Sequence, residues 1–139
     1  MFRIGGDLGG TKTEVAIIDS NGHTRYSRRE ATPEHYESKI RLITHLVGLA
    51  EKSVESDSLP VGVGHPGSLN PVTGLMRNSN SAVLNGRALD KDLEAALGRP
   101  VRCANDANCF ALSEAVDGAG KGAKTVFGVI LGTGVGGGL

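Results

Sequence analysis

The sequence predicts an α/β fold, a mixed sheet with helices packed on it. Two patterns and one compositional excess point there. Three strand-like stretches follow one another at the N-terminus, and a long segment of helical apolar periodicity then gives way to alternating strand and helix patterns. Glycine is the excess: 21 of 139 residues, about 15% against a usual ~7%. With only 5 prolines and 39% hydrophobic residues, this is not low-complexity sequence, and a real core is within reach. The glycines cluster instead. Gly5, Gly6, Gly9 and Gly10 open the chain, and six of residues 128–139 are glycine.

The elements follow in order. Residues 2–7, 13–19 and 24–30 read as strands, the last two joined by the hairpin signal Asp19-Ser20-Asn21-Gly22. Thr32 is placed to cap a helix with Pro33 in its first turn, and Tyr36, Ile40, Ile43, Val47, Ala50 and Val54 recur at three- and four-residue steps. Val61–Gly64 is a short apolar strand, followed by turns at Pro66-Gly67 and at 71–74. A helix over 89–97 ends at Gly98 and Pro100, and Val101–Ala104 is another strand. Asn105-Asp106 caps a helix running to about Asp117. Residues 118–122 read as a hinge, and 125–131 as an apolar strand leading into the second glycine cluster. That strand has no evident partner within the chain, which predicts self-association at its edge.

Fifteen basic and fifteen acidic residues balance to a net charge of zero, without the basic stripe of a nucleic-acid binder. Cys103 and Cys109 fit neither a zinc knuckle nor a disulfide framework, and read as thiols of a reducing compartment. The four histidines and two cysteines lack zinc-ligand spacing. No apolar run approaches the ~20 residues of a membrane span, so a cytoplasmic protein with no membrane partner is expected.

The first cluster, Gly5-Gly6-Asp7-Leu8-Gly9-Gly10-Thr11-Lys12, combines bare backbone with a carboxylate, a hydroxyl and an ammonium. Backbone N–H groups can cup a phosphate, with Thr11 and Lys12 contributing to it. Asp7 would repel phosphate unless a divalent cation lay between them, which suits a Mg-nucleotide site. A Walker A loop is the rival, but Gly10 is followed by Thr11 rather than Lys, and a strand pattern follows where a helix should start. In the second cluster, Gly132, Gly134 and Gly137 match the dinucleotide fingerprint, a weak signal without the helix and acidic residue that should follow. For either cluster the plain alternative is a hairpin, which would not require so many glycines. At Asn105-Asp106-Ala107-Asn108 the plain alternative is a helix cap. The functional one is a carboxylate that accepts a proton from an attacking hydroxyl at the C-terminal end of a strand.

Asp7-x-Gly9-Gly10-Thr11-Lys12, Pro66-Gly67, Asn105-Asp106-Ala107-Asn108 and Gly132-Thr133-Gly134-x-Gly136-Gly137-Gly138, in that order, resemble the bacterial ROK sugar kinases of the actin/hexokinase superfamily. Residues 78–81, 84–86 and 113–118 look most like the fructokinase branch, with the N-acetylglucosamine kinases close behind. The resemblance implies an actin/hexokinase-like, ribonuclease H-like ATPase domain over 1–118. Residues 119–139 would be a hinge plus the first strand and loop of a second domain, so that the chain is the front part of a longer kinase. It implies ATP and Mg²⁺ as cofactors and phosphorylation of a hexose, fructose to fructose 6-phosphate first, with N-acetylglucosamine or glucose as alternatives. Gly5, Gly6, Asp7, Leu8, Gly9, Gly10, Thr11 and Lys12 would form the first phosphate loop, Asp7 acting on nucleotide-bound Mg²⁺. The second loop would comprise Gly132, Thr133, Gly134, Val135, Gly136, Gly137, Gly138 and Leu139.

Asp106 matches the family's catalytic base, while Gly67, Ser68, Asn80, Asn105 and Asp106 fall at sugar-contact positions. The resemblance also implies a homodimer of the full-length protein, and a zinc site only in a part not present in this sequence. His65 departs from the family's usual small or apolar residue, as a packed neutral side chain or as a change to the sugar pocket. A sugar-sensing regulator of the same family and a non-catalytic ligand-binding remnant are the readings from other classes. Regulators carry a helix-turn-helix ahead of the first loop, which here begins at residue 5.

Overall fold

A computed structural model describes residues 1–132 and 134–139. Strands β1 (Arg3–Leu8), β2 (Lys12–Ile18) and β3 (Thr24–Ala31) form an antiparallel meander, and β4 (Val61–His65) and β7 (Val101–Asn105) add in parallel to give one sheet in the order β3-β2-β1-β4-β7. Two short hairpins complete the strands: β5 (Ser68–Leu69) with β6 (Met76–Arg77), and β8 (Gly128–Leu131) with β9 (Val135–Gly138). The helices are α1 (Tyr36–Ser53), α2 (Leu89–Leu97) and α3 (Asp106–Val116). This is the mixed-sheet α/β fold expected, and among the described residues no helix is long and apolar enough to cross a membrane.

Strand alternation assigns the faces. Ile4 and Leu8 of β1, Thr13, Val15 and Ile17 of β2, and Val61 and Val63 of β4 are buried. The apolar ones pack with Ile43, Leu46, Val47 and Ala50 of α1 and with Leu89 and Leu93 of α2 in one core. Each large side chain so buried stabilises by about 1.5–3 kcal/mol, so packing rather than helix propensity holds α1 in place. Tyr36 ties the two helices together: its hydroxyl donates to Asp92 at 2.5 Å while the Arg87 guanidinium stacks 4.6 Å from the ring centre. Burial, then the Asp92 carboxylate, raises the Tyr36 pKa, so the phenol stays a donor. At the far end of α1, Glu51 accepts from Arg99 at 2.8 Å and from the Leu59 N–H at 2.9 Å.

Three expectations are corrected. α1 does not begin at Thr32-Pro33: His35 occupies the N-cap without a side-chain bond, because the Thr32 hydroxyl is bonded to the Gly9 carbonyl instead. The terminal strand is also not unpartnered, since the glycine run itself forms β9 and pairs with it. β9 can lie so close because a side chain at Gly138 would overlap the Ala107 carbonyl, and one at Gly136 would sit 3.4 Å from Ala107 Cβ. The strand also starts at Gly128 rather than at residue 125.

Candidate functional site

The three parallel strands β1, β4 and β7 end at the same edge of the sheet, where open α/β sheets bind ligands. Asp7 is level with Gly64, and His65 with Asn105. The chain leaving each strand therefore arrives in one place: the first glycine loop after β1, Pro66-Gly67-Ser68 after β4, and Asp106 after β7. Together with the β8–β9 hairpin they enclose an open cleft of about 1270 Å³.

Most of the residues singled out from the sequence line it. Gly5, Gly6, Asp7, Gly9 and Gly10 are there from the first cluster, and Gly132, Gly134, Val135, Gly136 and Gly137 from the second. Gly67, Ser68, Asn80, Asn105 and Asp106 join them. Leu8 does not: its side chain is 1% exposed in the core, as strand alternation requires of a residue next to Asp7. Thr11 and Lys12 are exposed but are not part of the lining. Gly138 is buried against α3 and Leu139 is exposed away from the lining, so β9 uses its last residues for packing. Thr133 lies outside the described residues.

Asn105 and Asp106 divide two tasks that the sequence left open. The Asn105 side chain is the helix cap, its Oδ1 accepting from the Asn108 N–H at 3.2 Å while its Nδ2 donates to the Gly67 carbonyl at 2.8 Å. Both ends of that amide are engaged within the protein. Asp106 is left in the first turn with one oxygen accepting from the Ala107 N–H at 2.8 Å, its carboxylate on the cleft. A carboxylate there is also favoured by the positive end of the α3 dipole.

Gly67 adopts φ +71°, and a side chain on it would meet the Arg77 carbonyl at 2.5 Å and the Ser79 N–H at 2.8 Å. Only glycine lets this turn press against the 77–79 segment. Asn85 then grips Ser79 from the other side, accepting from its N–H at 3.0 Å and donating to its carbonyl at 3.1 Å, which steadies Asn80 next door.

Asp7 retains access to solvent as a residue, yet desolvation of its carboxyl on the cleft floor raises its pKa, and the Asp106 and Glu14 carboxylates add to the effect. Glu14 is opposite Asp7 on β2 and is itself held low by Ser27 and Arg29, which bond it at 2.5 and 2.6 Å. Burial pushes the Cys103 thiol up to about 12, and raises that of Cys109, with help from Asp106 and Asp7. His65 is 1% exposed and behind the cleft wall, its Nδ1 donating to the Pro66 carbonyl at 3.0 Å. Of the two expectations for this residue, a packed side chain rather than a place on the cleft is the one seen.

Sequence reasoning missed Asn78, Asn108 and Cys109 as part of the lining. Cys109 had a signal available, being one helical turn beyond Asp106. Asn78 had none, because the β5–β6 hairpin that turns it inward was not legible as strands.

The model of the ROK family matches residues 3–139. The N-acetyl-D-glucosamine kinase of Histophilus somni is 46% identical over 136 residues, 97% of this chain and 44% of that relative. Among solved structures, an inorganic polyphosphate/ATP-glucomannokinase from Arthrobacter sp. strain KM superposes with a TM-score of 0.84 at 36% identity, covering 98% of this chain and 56% of that one. A ROK family glucokinase from Streptomyces griseus in complex with glucose and AMPPNP does so with a TM-score of 0.79 at 30% identity, covering 99% and 43%. The chain thus spans under half the length of the curated relative it matches.

Proposed function

The chain belongs to the ROK family, and from that premise we propose that it carries the sugar and phosphate sites of an ATP-dependent hexose kinase, with N-acetylglucosamine the favoured sugar. One observation carries the reading. Asn105 performs the helix-capping duty, which frees the Asp106 carboxylate to face a cleft paved by both glycine clusters and by the polar turn at 67–68.

In this reading Asp106 accepts the proton of a sugar hydroxyl as its oxygen forms a bond to the γ-phosphorus of ATP and the bond to the β–γ bridging oxygen breaks, releasing ADP. Ser68 and Asn80 offer a hydroxyl and an amide, groups that both donate to and accept from sugar hydroxyls. Asn105 holds the 67–68 turn against the base through Gly67, and its second amide N–H and second oxygen lone pair can serve the sugar. The Gly10 N–H of the first loop faces the phosphates, across the cleft that Gly134, Gly136 and Gly137 of the second cluster also line. Asp7 fits a magnesium ion: it presents hard oxygen donors, and its carboxyl is in an environment of like charge that a cation would relieve. Mg²⁺ takes one or two carboxylates together with substrate phosphates, and bound with the nucleotide it would neutralise phosphate charge.

The AMPPNP in the Streptomyces griseus glucokinase supports ATP as the phosphoryl donor. Fructose came first on the sequence motifs alone, and the 46% identity to the Histophilus somni kinase supports the N-acetylglucosamine alternative over it. A phosphorylation assay of the complete protein against N-acetylglucosamine, fructose, glucose and mannose tests both levels. The highest kcat/KM is expected for N-acetylglucosamine; no ATP-dependent product with any of the four would defeat the kinase assignment.

A further inference from the structure

The first glycine loop is held from beneath by a residue more than twenty positions away. Thr32, in the connection between β3 and α1, donates its hydroxyl to the Gly9 carbonyl at 2.9 Å and its backbone N–H to the Thr11 carbonyl at 2.9 Å. The Thr13 hydroxyl is 2.8 Å from that of Thr32. Because Thr32 has one hydroxyl proton and the Gly9 carbonyl can only accept it, Thr13 is the donor in this second bond. Thr13 is fully buried, at 0% exposure, so its proton has no water to turn to. The next residue is pinned as well, the Pro33 carbonyl accepting from Lys39 Nζ of α1 at 2.6 Å, on a side chain only 4% exposed.

The consequence lies in which way the loop's dipoles point. The carbonyls of Gly9 and Thr11 are bonded to Thr32, which does not line the cleft, and that of Lys12 accepts from the Gly9 N–H at 3.0 Å. Three carbonyls that would repel an anion are thereby engaged inside the protein. The Gly10 N–H, by contrast, has no hydrogen-bond partner among the described residues, and Gly10 lines the cleft. A loop with three of its four carbonyls tied back and the Gly10 N–H left open is preorganised for a polyphosphate oxygen.

We infer that Thr32 is a positioning residue for phosphate: its hydroxyl and N–H fix the Gly9 and Thr11 carbonyls away from the cleft, so that the first loop presents the Gly10 N–H to the nucleotide's phosphates. The inference rests on reading Gly9–Lys12 as a phosphate-binding loop. It assigns the Thr-Pro pair of the β3–α1 connection to the ligand site rather than to the start of α1, where the sequence pattern alone would put it.

The test is nucleotide affinity of the complete protein by titration calorimetry, comparing ATP with adenosine, which shares the base and ribose but has no phosphate. Thr32→Val keeps the side chain's shape and the N–H bond but removes the hydroxyl, and should raise the Kd for ATP about tenfold while leaving that for adenosine and for the sugar within about twofold. Thr32→Ser, which restores the hydroxyl, should recover ATP affinity to within about twofold of wild type. If Thr32→Val does not fold, Thr32→Cys serves in its place; its weak donor should give a smaller loss of about three- to fivefold, again for ATP only. A folded Val or Cys variant that binds ATP as wild type does would overturn the inference, as would equal losses for ATP and adenosine. Failure of the wild-type protein to bind ATP would instead remove the phosphate-loop reading beneath it.

Discussion

The first glycine loop leaves the central strand of a five-stranded sheet and is braced by Thr32, itself linked to buried Thr13, whereas the second sits at the turn of a two-stranded hairpin packed on α3. Around the second cluster Val129, Leu131 and Val135 are at least half exposed; around the first, Ile4 and Leu8 are in the core. Two stretches equally rich in glycine therefore use it differently. In the first, Gly9 closes a turn in which any side chain would press on the Lys12 carbonyl at 2.5 Å. In the second, Gly136 and Gly138 let a strand approach the first turn of α3, and only the stretch around Gly132 and Gly134 forms a loop.

The largest effect expected from this contrast lies within the second cluster. Gly138→Ala should destabilise the protein by about 1–3 kcal/mol, seen as a lower urea midpoint, because the methyl overlaps the Ala107 carbonyl. Gly132→Ala, with nothing within 4 Å, should change the stability by no more than about 0.5 kcal/mol, so any loss of nucleotide affinity it causes reports the ligand directly. Equal destabilisation by the two would erase the distinction between packing and loop glycines.

The junction between the two regions is the α3 cap. Asn105→Ala should cost about 1 kcal/mol from the lost cap, with a further loss of sugar affinity as the Gly67 carbonyl is released. Asn105→Asp keeps an acceptor for the Asn108 N–H but no donor for Gly67, and should separate the two effects.

A smaller effect, of opposite sign, is expected at Asp7. Its pKa is raised in the folded state, so between the ordinary aspartate range and the folded value the folded protein binds the extra proton, and stability falls as pH rises through that window. Asp7→Asn should therefore raise the melting temperature of the ligand-free protein at neutral pH, by about 1–3 °C, with no gain below about pH 4. A lower melting temperature at neutral pH would mean that Asp7 has an ionic partner that its surroundings do not reveal. The smallest effect is at Cys109, whose raised pKa predicts alkylation slower than that of a free thiol at pH 7, and slower again with sugar or nucleotide in the cleft.

Much of this was legible in the sequence, because the signals were local. Apolar periodicity located α1 apart from its start, Gly98 ended α2 where expected, and Asp19–Gly22 closed the β2–β3 hairpin through its backbone bonds. The site was legible through the glycines and the Asn105-Asp106 pair, whose neighbouring strands end side by side. What escaped depends on contacts distant in sequence. Thr32 reads as a cap until its bond to Gly9 is seen, and the bond from Asn105 to Gly67 shows only once β4 and β7 are set side by side. The run 135–138 reads as loop because glycine has low strand propensity, and it becomes a strand only through its packing on α3.

The central claim is that the cleft transfers phosphate to a sugar with Asp106 as the base, and Asp106→Asn in the complete protein tests it most directly. The amide keeps the shape and an acceptor for the Ala107 N–H, so the Kd values for N-acetylglucosamine and ATP should stay within about twofold while kcat falls by at least about 100-fold. Turnover within a few-fold of wild type, with binding intact, would contradict the assignment of Asp106 as the base.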